Sequence, residues 1–583
     1  MTYFIIRRLL AAASALSACF FAFTPCRAQS AADDPVLSRL QTLGIDSSQT
    51  ENLAQALMDS IGPRLAGSAS FAAASDWLMR HYRNWGIETR TEQYGTWRGW
   101  KRGHTHVDLV SPRLRSLEAT MLAFSPGTGG ADVTAPTVIL PLVKDNVEFA
   151  RWLPNVKGKF VLMSPAYPSC RPESEWQTMA TPESKARMDT AIVRILHDWG
   201  ARVDATGYEM NIGVPTGTLG VALEKAGAAG VIISNMTDQF GEAWGTWAVF
   251  ETHNARAPAI AMSCEDYGLL FRMTERGQRP VLRVNLDARP TGSSPAFNTF
   301  GIINGTEKPN EYVFLSAHLD SWDSSEGATD NGTGTILMME AMRLLKLAYP
   351  HPKRTIMVGH WGGEEVGEIG SRAFAFDHPA IGNAIAAGFN QDGGTGRIQR
   401  VWGAGLPDGD THLRKWLTML PEKVRPNFAG SHPYVGNTDH RSFTCYGAPF
   451  FLLNSVRWDN DAYTQHTNRD SFDKIVFDDL KQNATVVAML AYVASEDPTF
   501  IDRTRADLNA PSPSPTGGAS ATPSQPVTMT RAELSEKLFP WKPKPGATTS
   551  NSLAWDNLGW ITTCPNGPRF FGDSSNVRAP SRR

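Results

Sequence analysis

Three short apolar runs in the second half of the chain are each followed closely by polar and acidic residues. The runs cover residues 312–315, 356–358 and 385–389. Apolar runs of this length predict buried strands. Because buried parallel strands send their loops to one edge of a sheet, the polar residues behind these runs would meet in the crevice where open α/β sheets bind ligands.

Longer apolar patterns predict helices around these strands. Residues 71–85 place Phe71, Trp77 and Tyr82 on one helical face, as a helix packed on a core requires. Residues 337–347 are apolar nearly all round, which is typical of a helix buried between a sheet and its neighbours. The second half of the chain therefore has the pattern of an α/β domain.

Histidine and carboxylates, without cysteine, follow the predicted strands. Five of these residues are candidate metal ligands: His318, Asp330, Glu365, Asp392 and His466. A single carboxylate in a loop is usually a cap or a solvated charge, but most of these five fall where strand ends would bring them together. Imidazole and carboxylate donors suit zinc, and five donors suit two ions that share a bridging carboxylate.

The segments that carry these residues resemble the zinc-dependent exopeptidases of the bacterial aminopeptidase and glutamate carboxypeptidase family. The matching motifs are His318-Leu319-Asp320, Asp330-Asn331-Gly332, Glu364-Glu365, Asp392 and Tyr463-Thr464-Gln465-His466. The stretch Ser321-Trp322-Asp323 makes the plasma glutamate carboxypeptidase (carboxypeptidase Q) branch the most similar one. The resemblance extends over about residues 34–495 and is most specific in the metal segments.

The resemblance implies an α/β fold with a mixed, mostly parallel sheet flanked by helices and an inserted β-rich protease-associated domain. Residues 156–159 and 225–230 resemble segments of that insert. The implied parts are a signal peptide (1–28), a first catalytic part (34–112), the insert (113–294) with a long insertion (171–217), a second catalytic part (295–498), a Pro/Ser/Thr/Gly-rich linker (510–526) and a C-terminal tail (527–583).

The resemblance also implies a dinuclear site with two Zn²⁺ per chain. Asp330 would bridge both ions, since a carboxylate can give one oxygen to each. His318 and Asp392 would complete one site, and Glu365 and His466 the other. Two cations would acidify a shared water and supply a metal-bridging hydroxide near neutral pH.

Three further residues would assist without binding metal. Glu364, beside a ligand in sequence, would be the general base that passes a proton to the leaving amine. Asp320 would accept the second imidazole N–H of the first histidine ligand and fix its tautomer. Asp439 would support the site from behind the ligands. The resemblance further implies a cis peptide bond between Asp330 and Asn331.

The last ligand segment holds the candidate substrate contacts. Many relatives place Tyr directly before the final His, whereas this chain has Gln465 there and Tyr463 two residues earlier. Gln465, Tyr463 or His440 would then polarise the substrate carbonyl. Arg457 and Arg469 flank the segment and would bind a terminal carboxylate, as a carboxypeptidase or dipeptidase requires. An aminopeptidase would instead need acceptors for a free amine, and the sequence leaves both directions open.

Length and charge limit the partners. The 583 residues suffice for two or three domains, and the net charge of −2 with well-mixed signs does not favour nucleic acid or an anionic membrane surface. The expected partner is a short peptide substrate. The insertion 171–217 would cover the site or form a homodimer contact, or simply decorate the surface.

The first residues read as an export signal. Arg7 and Arg8 precede an apolar stretch, 9–23, and Ala28 provides a small residue for cleavage. The stretch is shorter than the ~20 residues of a spanning helix, so the mature chain is expected to be periplasmic or secreted, with no membrane span. Lipid attachment at Cys19 is the alternative, disfavoured because the apolar stretch continues beyond it.

Four cysteines remain after the signal: Cys170, Cys264, Cys445 and Cys564. Export permits disulfides, and four cysteines allow three pairings that the sequence does not distinguish.

Two other functions are compatible with the same fold. A glutaminyl cyclase would need one zinc ion, and a binding protein would need no catalytic residues. Retention of all five candidate ligands together with Glu364 favours the exopeptidase.

Overall fold

The computed structural model describes residues 34–208, 218–234, 252–431, 438–444, 447–458, 460–504 and 542–543. The predicted signal peptide, the linker, Cys445, Cys564 and nearly all of the C-terminal tail lie outside these ranges.

One sheet of fifteen strands runs through the described residues. The strands are β1 (Glu88–Ser111), β2 (Arg115–Ser116), β3 (Ala119–Met121), β4 (Val133–Ile139), β5 (Phe160–Leu162), β6 (Gly230–Ile233), β7 (Ala259–Met262), β8 (Val281–Ile303), β9 (Lys308–His318), β10 (Arg354–Trp361), β11 (Ile385–Gln391), β12 (Ile398–Gly403), β13 (Asn427–Ser431), β14 (Phe450–Ser455) and β15 (Lys542–Pro543).

Helices flank this sheet. They are α1 (Pro35–Asp46), α2 (Thr50–Gln55), α3 (Ala69–Asn84), α4 (Asn146–Trp152), α5 (Glu173–Met179), α6 (Pro182–Asp204), α7 (Thr218–Lys225), α8 (Cys264–Glu275), α9 (Thr333–Ala348), α10 (Ile369–Asp377), α11 (Pro379–Ala384), α12 (Pro407–Met419), α13 (Arg441–Thr444) and α14 (Phe477–Glu496).

The centre of the sheet is parallel. Strands β10, β9, β11 and β14 are hydrogen-bonded neighbours that all run the same way, and β12 joins β14 antiparallel. The three apolar runs of the sequence lie within β9, β10 and β11, which confirms these strands. The predicted fold class, a mixed and mostly parallel sheet flanked by helices, is confirmed as well.

Alternation along β9 separates two cores. Val313 and Leu315 pack in the core that holds α9 and α14, whereas Phe314 packs on the opposite face with Phe374 and Phe443. Side chains of successive strand residues point to opposite faces, so a strand with apolar residues on both faces must be covered on both. Helix α9 is buried from end to end except near its last turn, as predicted for residues 337–347.

The strands β1 and β8 form a long antiparallel ribbon. It pairs Glu88 with Ile302 at one end and Ser111 with Val281 at the other. Strand β8 pairs with β10 of the parallel centre and, further along, with β4 of the inserted segment. The predicted boundary at residue 294 therefore falls inside a continuous strand.

Beyond the ribbon, the described residues between 113 and 280 form a unit with its own small core, the inserted unit. Strands β4 to β7 are parallel neighbours and β3 pairs antiparallel with β7. Helix α6 packs on this unit through Trp199 and Val203 near its C-terminal end, and most of its other residues are partly or fully exposed. A disulfide joins Cys170, before α5, to Cys264 at the start of α8.

Among the helices of the described ranges, none has the length and apolar character needed to cross a bilayer.

Candidate metal centre

All five predicted ligands lie at or beyond the carboxyl ends of four neighbouring parallel strands. His318 is the last residue of β9, and Asp330 lies in the loop that follows it. Glu365 follows β10, Asp392 follows β11, and His466 lies in the segment after β14. Parallel strands deliver their following loops to one edge, so residues distant in sequence meet there.

Asp330 occupies the middle of the cluster. Its Oδ1 lies 3.3 Å from Nε2 of His318, and its Oδ2 lies 3.1 Å from Nε2 of His466. Each imidazole nitrogen also faces a second carboxylate: Asp392 Oδ1 is 3.0 Å from His318 Nε2, and Glu365 Oε2 is 3.1 Å from His466 Nε2. The cluster thus has two halves that share Asp330.

Burial and mutual charge dominate the electrostatics. Burial raises the pKa of Glu365 to about 7, with the charge of Asp330 adding to the effect. Burial also raises the pKa of Glu364 well above its ordinary value, against the opposing charge of His318. Burial would lower the pKa of both histidines, but the surrounding carboxylates raise the pKa of His318 and of His466 well above the ordinary value. Because metal ligands must be deprotonated, the binding of a cation to these groups would release protons.

The donor set fits divalent cations. Ligand atoms of His318, Asp330 and Glu365 lie within 4.8 Å of one another. The second oxygen of Glu365, Oε1, is buried and accepts no hydrogen bond within the described part of the chain. A buried carboxylate oxygen without a donor is costly unless a cation is its partner. The residues present therefore match a zinc site of nitrogen and oxygen donors.

The peptide bond between Asp330 and Asn331 is cis, which confirms the expectation from the resemblance. The Asn331 side chain donates to the carbonyl of Gln391 at 2.9 Å and accepts from the amide of Gly334 at 3.2 Å. This asparagine thereby fastens the Asp330 loop to the end of β11.

Asp320 acts differently from the expectation. The backbone carbonyl of Asp320 lies 3.0 Å from Nδ1 of His318 and accepts its N–H, whereas the carboxylate oxygen is 3.8 Å away. The carboxylate instead accepts the backbone amides of Glu364 and Glu365, at 3.1 and 3.2 Å. Asp320 therefore orients the Glu364–Glu365 turn with its side chain and the imidazole with its backbone. The expected acceptor, the Asp320 carboxylate, is replaced by the Asp320 carbonyl because the carbonyl lies closer to Nδ1.

The fully buried Arg64 holds the loop between His318 and Asp330. Its Nε donates to the carbonyl of Leu319 at 2.8 Å, and its terminal nitrogens donate to the backbone carbonyls of Glu326 at 2.6 Å and Gly327 at 2.8 Å. Burial lowers the pKa of Arg64 to about 10, so the side chain remains a cation at neutral pH. One guanidinium thus closes both ends of the loop onto the early part of the chain.

Asp470 is a site residue that the sequence reasoning missed. One of its oxygens accepts the amide and the hydroxyl of Thr329, at 2.6 and 2.7 Å, and the other accepts the amide of Asp330 at 3.0 Å. Asn460 and Thr464 lie in the same buried group, each 2.9 Å from the Thr329 hydroxyl. The available signal was position: Asp470 follows His466 by four residues in the same polar segment.

Asp439 is fully buried. Burial raises the pKa of Asp439 well above its ordinary value, and the nearby His318 opposes that rise. Its charge in turn contributes to the raised pKa of Glu364. Asp439 therefore lies within electrostatic range of the predicted base.

The candidate substrate contacts differ in their surroundings. The guanidinium of Arg469 lies 2.9 Å from Glu118 of the inserted unit, so it already has an anionic partner. Arg457 is exposed, and its Nη2 would lie 3.9 Å from a Cβ placed on Gly393, beside the ligand Asp392.

Two of the three residues considered for carbonyl polarisation, Tyr463 and Gln465, make contacts near the last ligand. The ring of Tyr463 lies under the ammonium of Lys474, 5.7 Å from centroid to nitrogen. The backbone amide of Gln465 donates to the backbone carbonyl of Asn460 at 2.8 Å. His466 adopts a φ of 56°, a left-handed backbone conformation that few non-glycine residues take. The chain therefore turns sharply at this predicted ligand.

The chain is similar to several known proteins. Residues 298–491, which include all five predicted ligands, match peptidase family M28. Carboxypeptidase Q of Rattus norvegicus is 26% identical over 448 residues, which cover 77% of this chain and 85% of the rat protein. The match to carboxypeptidase Q of Bos taurus is 26% identical over 341 residues and covers 58% of this chain and 63% of the bovine protein.

Among solved structures, the Peptidase M28 precursor from Shewanella amazonensis is similar with a TM-score of 0.59 and 23% identity, over 80% of this chain and 97% of that one. This similarity bears on the fold. The family match and the carboxypeptidase Q relatives confirm the family that the motifs predicted.

Proposed function

From a chain that is a zinc metallopeptidase of peptidase family M28, we propose an exopeptidase with two Zn²⁺ ions that acts on dipeptides or short peptides. The observation that carries the proposal is the position of Asp330, whose two oxygens each face a different histidine, at 3.3 and 3.1 Å. A carboxylate placed in this way suits the bridge between two ions.

The ligands divide between the two halves of the cluster. His318 and Asp392 would hold one ion, Glu365 and His466 the other, and Asp330 both. The short approaches within each half, 3.0 Å and 3.1 Å, support this division. When bound, zinc would polarise the scissile carbonyl and lower the pKa of a water molecule toward neutrality.

Glu364 is the proposed general base. Its backbone is held by Asp320, and burial raises the pKa of its carboxyl group. A carboxylate whose pKa is raised toward the operating pH is a stronger base toward the attacking water than an ordinary carboxylate, and it would then pass the proton to the leaving amine. Asp320 and Asp439 would hold this arrangement without touching the substrate.

The direction of attack would depend on an arginine that binds the terminal carboxylate of the substrate. Arg457 is proposed for this role because it lies near Gly393, the residue after Asp392. Arg469, the other candidate, lies 2.9 Å from Glu118. Gln465 and Tyr463 would lie near the substrate carbonyl. Short peptides fit this scheme because one end must reach the metal ligands while the other reaches Arg457.

Three further proposals concern the setting. The disulfide between Cys170 and Cys264 supports export to an oxidising compartment, in line with the apolar leader. The inserted unit, with a parallel core of β4 to β7, is proposed to be a protease-associated domain. The largely exposed helix α6 is a candidate homodimer contact.

Metal content and end-group requirements test the function. Elemental analysis should give close to two zinc ions per chain, and chelators should abolish cleavage of unblocked dipeptides. About one zinc ion in an active enzyme would favour the cyclase instead.

Amidation of the substrate C-terminus should slow cleavage strongly, and Arg457→Ala should remove that difference. An absolute need for a free N-terminal amine, with an irrelevant C-terminus, would make the enzyme an aminopeptidase.

A further inference from the structure

An arginine of the β1–β8 ribbon binds the loop between His318 and Asp330. Arg102, on β1, donates from Nε and Nη2 to the two oxygens of Asp323, at 2.9 and 2.7 Å. Its Nη1 donates to the carbonyl of Met121 at 2.6 Å. Forked pairs of this kind fix orientation as well as distance.

The pair is shielded from solvent. The side chain of Arg102 is 17% exposed and that of Asp323 is 8% exposed. Exposed ion pairs are weakened by water and salt, whereas removing one partner of a buried pair leaves an uncompensated charge. The orientation of Asp323 is therefore tied to the ribbon that carries Arg102.

Asp323 directly follows a tryptophan that contacts a predicted ligand. Trp322 is buried, and its ring lies 6.3 Å from the ring of His466, edge to face. On the other side, the Ser321 amide donates to the carbonyl of Arg64 at 3.2 Å. Ser321, Trp322 and Asp323 thus contact, in this order, the early chain, the last predicted ligand and the ribbon.

We propose that Arg102 is a positioning residue for the metal centre. It holds Asp323 and thereby keeps Trp322 against His466, so that the ribbon sets zinc retention and turnover at a site to which it gives no ligand. The inference rests on the proposed ligand set, because His466 must be a ligand for its position to matter.

Two other contacts have different roles. Arg64 binds the same loop through backbone carbonyls at its two ends and does not contact Asp323. Glu118 and Arg469 link the inserted unit to the segment of His466, but both side chains are 42% exposed, and exposed pairs contribute little. Arg102 is the contact of the ribbon whose loss should weaken zinc retention.

Substitution of Arg102 can be compared with a matched change on the same ribbon. Arg283, on β8, pairs with the buried Asp108 at 2.7 Å, and Arg283→Ala removes a cation from the ribbon without touching the loop. Arg102→Ala should lose zinc to a competing chelator about ten times more readily than wild type, as expected for removal of a group that supports ligands. Arg102→Lys should fall between, because it keeps the charge but cannot fork, and Arg283→Ala should retain zinc like wild type.

Turnover provides a second measurement. Since Arg102 touches no substrate, kcat of Arg102→Ala should fall while KM changes little. Zinc retention and kcat equal to those of Arg283→Ala would overturn the proposal. If Arg102→Ala does not fold, Asp323→Asn takes its place, because the amide can accept only one of the two donors, and the same comparison with Arg283→Ala applies.

Asp330→Ala distinguishes failure of the proposed ligand set from failure of the positioning role of Arg102. If that variant keeps its zinc, the proposed ligand set is wrong. If it loses zinc while Arg102→Ala and Asp323→Asn both keep theirs, the ligand set stands and the positioning role of Arg102 is overturned.

Discussion

Asp470 accepts the backbone amide of Asp330 at 3.0 Å. A residue from the last ligand segment therefore orients the carboxylate that both histidines face. The same Asp470 also accepts the amide of Thr329 at 2.6 Å, so two successive amides of the Asp330 loop end on one buried side chain. The bridging position is fixed by this side chain as much as by the loop itself.

Asp470→Asn should weaken zinc binding by about 10- to 100-fold, because a supporting group is lost while all ligands remain. One of the two buried amides would also lose its acceptor, which costs about 1–3 kcal/mol of stability. Zinc titration against a chelator and thermal unfolding would measure both effects. Asp473→Asn is the matched control, since that carboxylate is 74% exposed and bonds only neighbouring residues. Equal zinc affinity for the two variants would contradict the role of Asp470.

Glu364→Gln and Glu365→Gln should separate catalysis from metal binding. The first variant should keep its zinc and lose at least about 100-fold in kcat, the contribution typical of a general base. The second should lose zinc, because it removes a ligand charge facing His466. Elemental analysis and steady-state kinetics on one dipeptide would distinguish them. A Glu364→Gln enzyme with more than about a tenth of normal kcat would move the base elsewhere.

Loss of the disulfide should destabilise the inserted unit. Cys170 and Cys264 are 94 residues apart, and a cross-link over a loop of this size stabilises a protein by about 4.7 kcal/mol through the entropy of the unfolded chain. Replacement of both cysteines by serine should lower the unfolding midpoint of the oxidised protein. A reducing agent should do the same to the wild type and nothing to the variant. Identical midpoints for all samples would show that the bond contributes no stability.

His360 should make stability depend on pH. This residue is buried on β10 and bonded to the Tyr82 hydroxyl at 2.6 Å, and burial lowers its pKa to about 3. The imidazole of the unfolded chain binds a proton near pH 6.5, whereas that of the folded chain does not. Above about pH 6.5 this histidine therefore does not reduce the free energy of unfolding. Below that pH, the free energy of unfolding falls by up to about 1.4 kcal/mol per pH unit until about pH 3.

His360→Gln should flatten this acid-side slope in urea unfolding measured from pH 8 to pH 4. His197→Gln provides the control, because His197 is 81% exposed. A slope that is unchanged in His360→Gln would assign the pH dependence to other groups.

Local patterns predicted much of the fold. The strands β9, β10 and β11 and the buried helix α9 carry apolar residues in runs or on every face, a signal present in any short window. The middle of β8 has no such signal, because its residues from Asp287 to Ser293 are mostly exposed, and the predicted boundary at residue 294 fell there as a result.

The ligands were predictable because their motifs are short and follow strands. The supporting residues were not, because their roles depend on contacts across the chain: Arg64 binds residues near position 326, and Arg102 binds Asp323. A polar residue in a loop or on an exposed strand has no periodic pattern that reveals its partner. Asp320 shows the same limit at short range, since its backbone rather than its side chain meets His318.

The shared strand β8 also constrains how the molecule can be divided. It forms backbone hydrogen bonds with β10 on one side of the boundary and with β4 on the other. An inserted unit attached in this way is not a removable cassette, because excision would expose unpaired strand edges that promote association. Any movement of the inserted unit relative to the parallel centre would have to bend the ribbon.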